Sequence, residues 1–150
     1  HYSAVITHSF GGPCLAVAMK HGLNTDCVVN ISPPSTVIGL VDKFSATLRL
    51  PEKVHKELVK TIEQKFGQQV WEHASMANNI RDLDVPALVV HDVDDIDVPW
   101  HEGQAIAEAW SKMRFIKTTG LGHRRILKDD QTIRSVVDFI DEHTRANRAA

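Results

Sequence analysis

The sequence has few of the features that mark several large classes of protein. Its 150 residues include only two cysteines, too few for a disulfide framework, and this favours a reducing, cytoplasmic compartment. No apolar run approaches the roughly 20 residues of a membrane-spanning helix, and no signal peptide is visible at the start. The net charge is −2, and the densest basic spot is Arg124-Arg125. We therefore expect neither a nucleic-acid partner nor a membrane partner.

What is present is typical of a globular protein about the size of one domain, with 43% hydrophobic and 24% charged residues. Cys14 and Cys27 both have apolar neighbours. They are interpreted as reduced core residues, and a disulfide between them is the less favoured alternative.

Strand and helix patterns alternate along most of the chain. Four short apolar or β-branched runs predict buried strands, at residues 2–8, 27–31, 86–91 and 114–118. Helices are predicted at residues 13–19, 101–111 and 130–143. The second of these helices should bury Ile106, Ala109 and Trp110, and the last presents Ile133, Val136, Val137 and Ile140 on one face. This alternation predicts an α/β fold with a parallel sheet of about four sequentially ordered strands and flanking helices.

Residues 35–82 interrupt the alternation with helical patterns alone. Val37, Val41, Phe44 and Leu48 fall on one stripe, and Val54, Leu58, Ile62 and Phe66 fall on another. The block is too long for a single crossover, so we predict a small helical cap at 35–82, inserted into a core made of residues 1–34 and 83–150.

The first strand runs directly into Thr7-His8-Ser9-Phe10-Gly11-Gly12, and a helix follows. A sharp turn from strand to helix can push a serine hydroxyl out above the sheet, provided that the flanking residues are small. Gly11 meets that requirement. The Phe10 backbone N–H is the expected donor to an oxyanion at this helix start.

Two later segments place polar residues after strands. Asp92, Asp94, Asp95 and Asp97 follow the third strand, and Gly120-Leu121-Gly122-His123 follows the fourth. In open parallel sheets, sites form at the carboxyl ends of the strands. The order serine, aspartate, histidine is the order of an α/β-hydrolase triad.

These segments resemble the nucleophile elbow, the acid loop and the Gly-His loop of the α/β-hydrolase fold superfamily, in its C-terminal half. The resemblance implies that Ser9 is the nucleophile, His123 the base and Asp95 the acid, with Asp94 and Asp97 as rivals. Two residues depart from the family pattern, because Thr7 and Asp92 stand where the family usually has glycine.

The implied function is that of a serine hydrolase, which cleaves a carboxylic ester or related acyl compound through an acyl-enzyme. No cofactor and no metal are expected. Candidate substrate contacts are His8, Phe44, Trp71 and Trp100, with simple packing as the alternative for at least half of the aromatic residues. Arg124 and Arg125 either bind an acidic substrate or, as we prefer, pair with Asp129 and Asp130. The competing function is a non-enzymatic small-molecule-binding or interaction protein on the same fold.

By the same resemblance, the family's early strands are missing from this chain, so we expect a fragment or one half of a split protein. The strand at 2–8 would then expose an unpaired edge. We expect that edge to pair with a second copy or with a missing N-terminal half. We also expect activity to be impaired in the chain alone.

Overall fold

The computed structural model describes residues 1–148, with side chains to residue 144. Residues 149–150, part of the predicted core, lie outside the described residues. One sheet contains four parallel strands in the order β1-β2-β3-β4, which confirms the predicted sheet. The strands are β1 (Tyr2–His8), β2 (Thr25–Ile31), β3 (Ala87–Asp92) and β4 (Met113–Thr118).

Helices are present wherever the sequence predicts them, with shifted ends, and one further short helix begins at Gly122 in the predicted Gly-His loop. They are α1 (Gly11–Lys20), α2 (Val37–Thr47), α3 (Glu52–Phe66), α4 (Val70–His73), α5 (Met76–Asn79), α6 (Trp100–Ala109), α7 (Gly122–Arg125) and α8 (Asp130–Arg148). A 3-10 turn, Ile126–Lys128, links α7 to α8. The first helix begins two residues before Pro13, directly after the serine turn, and it ends at Lys20 with His21 as its C-cap.

The core lies on both faces of the two central strands. Val28 and Val89 pack with residues of α1, α5 and α6, whereas Val29 and Leu88 pack on the other face with residues of α8. Successive residues of a strand point to opposite faces. A strand covered on both faces must therefore be apolar throughout, which explains the continuous apolar runs of β2 and β3.

Four residues are less buried than predicted. On α8, Ile133 and Val137 are 46% and 51% exposed, whereas Val136 of the same predicted face is buried together with Phe139. Cys14 is exposed, although Cys27 is buried as expected, and both thiols are free. Trp110 and Ile106 are buried as predicted, but Ala109 is only partly so.

Half of the residues in the apolar stripes of α2 and α3 are exposed, and the other half are only partly buried. Phe44, Leu48, Val54 and Phe66 are between 47% and 61% exposed, and α3 contains no buried residue. A polar contact joins the two helices, in which His55 Nδ1 lies 2.9 Å from Ser45 Oγ. The treatment of 35–82 as a separate cap remains a prediction.

Among the described helices, none combines the length and the apolar character that crossing a membrane requires.

Candidate active site

Ser9 lies in the turn between β1 and α1, with a backbone φ of +53°. This left-handed conformation strains any residue other than glycine, and such strain clusters at functional sites. Two hydrogen bonds hold the turn. The Ser9 N–H donates to the carbonyl of Ile31 (2.9 Å), and the Gly12 N–H donates to the carbonyl of Ser9 (3.0 Å). The sheet and the helix therefore fix Ser9 from both sides.

Thr7 fits this turn because of its neighbours. Its hydroxyl donates to Asn30 Oδ1 at 2.6 Å. A Cβ added at Gly11 would lie only 3.2 Å from Thr7 Cβ, so the missing side chain of Gly11 makes room for the threonine. Phe10, between them, is the N-cap of α1 and is 50% exposed. Its N–H thus lies at the start of the helix, next to Ser9.

His123 and Asp95 form a short hydrogen bond. His123 Nδ1 lies 2.7 Å from Asp95 Oδ2; the aspartate side chain is fully buried and the histidine side chain is 11% exposed. Asp95 Oδ1 accepts two further bonds, from the N–H groups of Asp97 (2.9 Å) and Val98 (2.8 Å). Because Nδ1 must donate to the carboxylate, His123 keeps its Nε2 for another partner.

The surroundings of Asp95 keep its carboxylate ionised. Burial alone would raise its pKa, but hydrogen bonds from His91, Val98 and His123, with the charge of His123, hold the pKa well below its ordinary value. A buried anion at this position can orient the imidazole and stabilise its protonated form.

The other two candidate carboxylates are exposed. Asp94 Oδ2 accepts a hydrogen bond from the Gly120 N–H at 2.7 Å, and Asp97 lines the open cavity beside His123. Within the part of the chain that the structure describes, neither carboxylate contacts the His123 ring. Of the three aspartates considered, Asp95 is the one that lies against the histidine.

His8 joins the end of β1 to the turn that carries His123. Its Nε2 donates to the carbonyl of His123 at 2.9 Å, and the two rings lie 4.6 Å apart at a tilt of 43°. Burial lowers the pKa of His8, and the charge of His123 adds to this effect, against a rise from the backbone hydrogen bond. The residue preceding Ser9 therefore contacts His123 directly, which brings the serine turn and the histidine to the same edge of the sheet.

His91 was not predicted as a site residue, but it supports Asp95 from inside the fold. It is fully buried, and its Nε2 lies 2.9 Å from the Val98 carbonyl and 3.5 Å from Asp95 Oδ2. Both neighbours are oxygen acceptors, so Nε2 carries the proton. Its Nδ1 has no partner among the described residues. The available signal was a histidine near the end of an otherwise apolar strand.

Asp92, another residue whose role was missed, is also fully buried. Its carboxylate accepts hydrogen bonds from the Thr118 hydroxyl (2.7 Å) and from the N–H groups of Asp94 (3.0 Å), Leu121 (3.2 Å) and Gly122 (2.9 Å). The available signal in the sequence was that Asp92 stands where the family pattern usually has glycine.

The predicted aromatic contacts are spread over the surface of the helical block and the start of α6. Phe44 is 54% exposed, and the Trp71 indole N–H donates to Glu63 at 2.9 Å. The Trp100 ring packs on Lys117, whose Nζ lies 3.7 Å from the ring centroid. None of the three lines the open cavity beside His123.

That cavity has a volume of about 390 Å³, and Arg124 and Arg125 lie on its wall. Arg125 donates to the Gly120 carbonyl at 2.7 Å. Among the described residues, neither arginine pairs with Asp129 or Asp130, so the preferred prediction was wrong. The reason is local, because the Asp129 carboxylate already accepts from the backbone and hydroxyl of Thr132 at the start of α8.

Taken together, the segments that follow β1, β3 and β4 carry a strained serine, a buried carboxylate–imidazole pair and an exposed helix start. In chemical terms, an imidazole held by an ionised carboxylate can take a proton from a nearby hydroxyl. Backbone N–H groups at the start of a helix can stabilise a developing negative charge.

Comparison with protein-family models finds no match, and no curated protein matches in sequence. Solved structures do match. An α/β-hydrolase enzyme from the metagenome of lagoon sediments at Mar Chica, Morocco, has a TM-score of 0.64 at 16% identity, over 93% of this chain and 61% of that one. The esterase domain of a Rhodothermus marinus protein has a TM-score of 0.62 at 16% identity, over 97% of this chain and 60% of that one.

A puromycin-hydrolysing peptidase from Mycobacterium tuberculosis has a TM-score of 0.70 at 14% identity, over 94% of this chain and 22% of that one. This chain spans about three fifths of the length of the lagoon-sediment enzyme and of the Rhodothermus marinus domain. Identities this low carry the fold and nothing finer. On its parallel sheet, its strained serine turn and these likenesses, the chain has the α/β-hydrolase fold.

Proposed function

We propose that this chain carries the catalytic residues of a serine hydrolase that cleaves a carboxylic ester or a related acyl compound. The observation that supports this best is the 2.7 Å bond between His123 and the buried Asp95, at the sheet edge where Ser9 has a φ of +53°. Such a pair has a clear chemical use next to a serine, because a serine hydroxyl needs a base to become nucleophilic.

In the proposed reaction, His123 Nε2 takes the proton of the Ser9 hydroxyl as Oγ attacks the substrate carbonyl. The Phe10 N–H donates to the resulting oxyanion. When the tetrahedral intermediate collapses, the carbon–oxygen bond of the ester breaks and the alcohol leaves with the proton from His123. Water then attacks the acyl-enzyme with His123 as base again, the bond between Ser9 Oγ and the acyl carbon breaks, and Ser9 takes the proton back from His123 as the acid leaves. Asp95 stabilises the imidazolium in both steps.

The structural neighbours favour a hydrolase but act on several kinds of substrate. They include an esterase from a Rhodococcus species and a meta-cleavage product hydrolase from Pseudomonas fluorescens. One fold supports many chemistries, so the ester is our choice within the wider class of acyl compounds. The cytoplasmic location, inferred from the low cysteine count, belongs to the same proposal.

Because the chain spans about three fifths of those neighbours, the activity of the whole protein is also part of the proposal. Phe10 is the one oxyanion donor that we assign among the described residues. One such donor is worth about 10²–10³ in rate, and we expect the chain alone to be weaker by about that factor than a hydrolase with a second donor.

A fluorophosphonate probe, followed by intact-mass measurement, tests the proposal. We expect one probe adduct on the wild type, none on Ser9→Ala and strongly slowed labelling on His123→Ala. Ser3→Ala is the matched control, since Ser3 is an exposed serine at the other end of the same strand, and it should label like the wild type. Labelling that persists in Ser9→Ala would refute the assignment of the nucleophile.

The second candidate, a non-enzymatic small-molecule binder, has one observation in its favour. A cavity of about 340 Å³ lies between α2 and the acid loop, with an apolar wall that includes Leu40, Ala46 and Pro99, and neither Ser9 nor His123 lines it. For a binder, ligand affinity would be unchanged in Ser9→Ala and the wild type would not react with the probe.

A further inference from the structure

Asp92 is the last residue of β3, and it lies opposite Thr118 at the end of β4. It is completely buried, and it stands where the resemblance leads us to expect glycine. Buried carboxylates destabilise a fold unless hydrogen bonds satisfy them. The partners of Asp92 therefore indicate what this residue does.

Four donors converge on the carboxylate, two on each oxygen. Oδ1 accepts from the N–H groups of Asp94 (3.0 Å) and Gly122 (2.9 Å). Oδ2 accepts from the Thr118 hydroxyl (2.7 Å) and the Leu121 N–H (3.2 Å). These donors belong to three segments, namely the acid loop, the end of β4 and the turn that carries His123. A glycine at this position could make none of these side-chain contacts.

We propose that Asp92 is a positioning residue, which fastens the turn at 120–123 to the acid loop so that the His123 ring meets Asp95. This inference rests on the proposed function, in which the pair of His123 and Asp95 acts as the base. Asp92 does not contact the reacting groups, because both of its oxygens are occupied by the donors above.

The ionisation state of Asp92 agrees with this role. Burial would raise its pKa, but the hydrogen bonds from Thr118, Gly122, Leu121 and Asp94 together lower the pKa below its ordinary value. The group is therefore a carboxylate near neutral pH, with acceptor sites only, which is what four donors require.

Asp92→Asn tests the proposal with almost no change in volume. The asparagine amide must place its NH₂ group where one carboxylate oxygen was. At the position of Oδ2, that NH₂ group would face the Leu121 N–H, so that two donors would meet without an acceptor. A displacement of the catalytic base by about 1 Å can reduce rates about 10²-fold. We expect the maximal rate of fluorophosphonate labelling to fall about 10–100-fold, with the half-saturating probe concentration changed by less than about twofold.

Two readouts do not depend on activity. The downfield proton resonance of the His123 Nδ1–H bond to Asp95 should be sharp in the wild type and broadened or lost in Asp92→Asn. The amides of Leu121 and Gly122 should exchange with solvent faster in the variant. Asp84→Asn is the matched control, because Asp84 precedes the amino end of β3 and is exposed, in an ion pair with Lys112. It should leave both signals unchanged.

Thr118→Val is the second variant, and it removes one donor but keeps the carboxylate. We expect a smaller loss in the same signals, and this variant decides the matter if Asp92→Asn does not fold. An intact downfield resonance with unchanged amide exchange in the folded variant would overturn the role of Asp92. If the wild type does not react with the probe but the resonance is lost in the variants, the result supports the role of Asp92 and counts against the hydrolase.

Discussion

At the scale of single residues, the site is built around two buried carboxylates at the end of β3. Asp92 holds a turn and Asp95 holds a histidine, and each has a pKa below its ordinary value because its hydrogen bonds outweigh the effect of burial. Such groups bind fewer protons in the folded chain than in the unfolded chain near pH 4. Their ionisation therefore makes the free energy of unfolding depend on pH.

The sign of that link gives a prediction for Asp95→Asn. The contribution of an acid with a lowered pKa is fully present above the unfolded pKa, about 4 for aspartate, and is lost as the pH falls through the folded value. We expect Asp95→Asn to have a smaller free energy of unfolding than the wild type at pH 7. The difference should narrow steadily below about pH 4, as measured by urea unfolding at several pH values.

Asp84→Asn is the control for that series, since Asp84 is 79% exposed and surface pairs contribute little. Its difference from the wild type should stay small at every pH. A gap between Asp95→Asn and the wild type that widens in acid would contradict the assigned ionisation of Asp95.

The positions of Ser9, Asp95 and His123 could be proposed from the sequence because each follows a recognisable strand. The residues that hold these three in place could not be proposed from the sequence. His8 and His123 are 115 residues apart in sequence, and no spacing rule connects them. Likewise, three of the four donors to Asp92 belong to residues 118–122, whose approach depends on the pairing of β3 with β4. Contacts of this kind follow from tertiary structure, which local patterns do not contain.

At the scale of elements, strand positions were predictable because buried strands form distinct apolar runs. Helix faces were harder. On α8, Ile133 and Val137 form one apolar row, and Val136 with Phe139 and Ile140 forms another. Both rows satisfy the helical period, and only packing against β2 decides that the second is buried. In α2 and α3 the period was again present, yet half of the residues in the two apolar rows are exposed and the others are only partly buried.

The packing of α6 on β3 gives a prediction at this scale. A Cβ at Gly103 would lie 2.6 Å from His91 Nδ1 and 3.2 Å from Phe115. Since His91 is fully buried behind Asp95, the helix or the ring must move. We expect Gly103→Ala to lower the free energy of unfolding by about 1–3 kcal/mol, even though alanine favours helices, and to slow probe labelling.

Urea unfolding measures the first effect, with Gln104→Ala as the neighbouring control on the same helix. That control should change the stability by less than about 0.5 kcal/mol. A Gly103→Ala variant as stable as the control would mean that α6 has room above His91, contrary to the structure.

At the scale of the whole molecule, the sheet ends at β1. Within residues 1–148, β1 pairs with β2 alone, so its other side presents backbone N–H and C=O groups without strand partners. On the face shared with α8, Tyr2 is 59% and Ile6 is 54% exposed. A strand edge of this kind, next to exposed apolar side chains, is prone to pair with another strand.

We therefore expect this chain to associate with a second copy of itself through β1, because two identical edges can pair around a twofold axis. Light scattering after size exclusion should show a mass that rises from monomer toward dimer with concentration.

Ile6→Lys should weaken the association, since a lysine on an edge strand discourages pairing. Ile96→Lys is the matched control, because Ile96 is 79% exposed and lies in the acid loop, and it should associate like the wild type. A wild-type chain that stays monomeric at the highest concentration would refute pairing through β1, and equal association of both lysine variants would place the contact elsewhere.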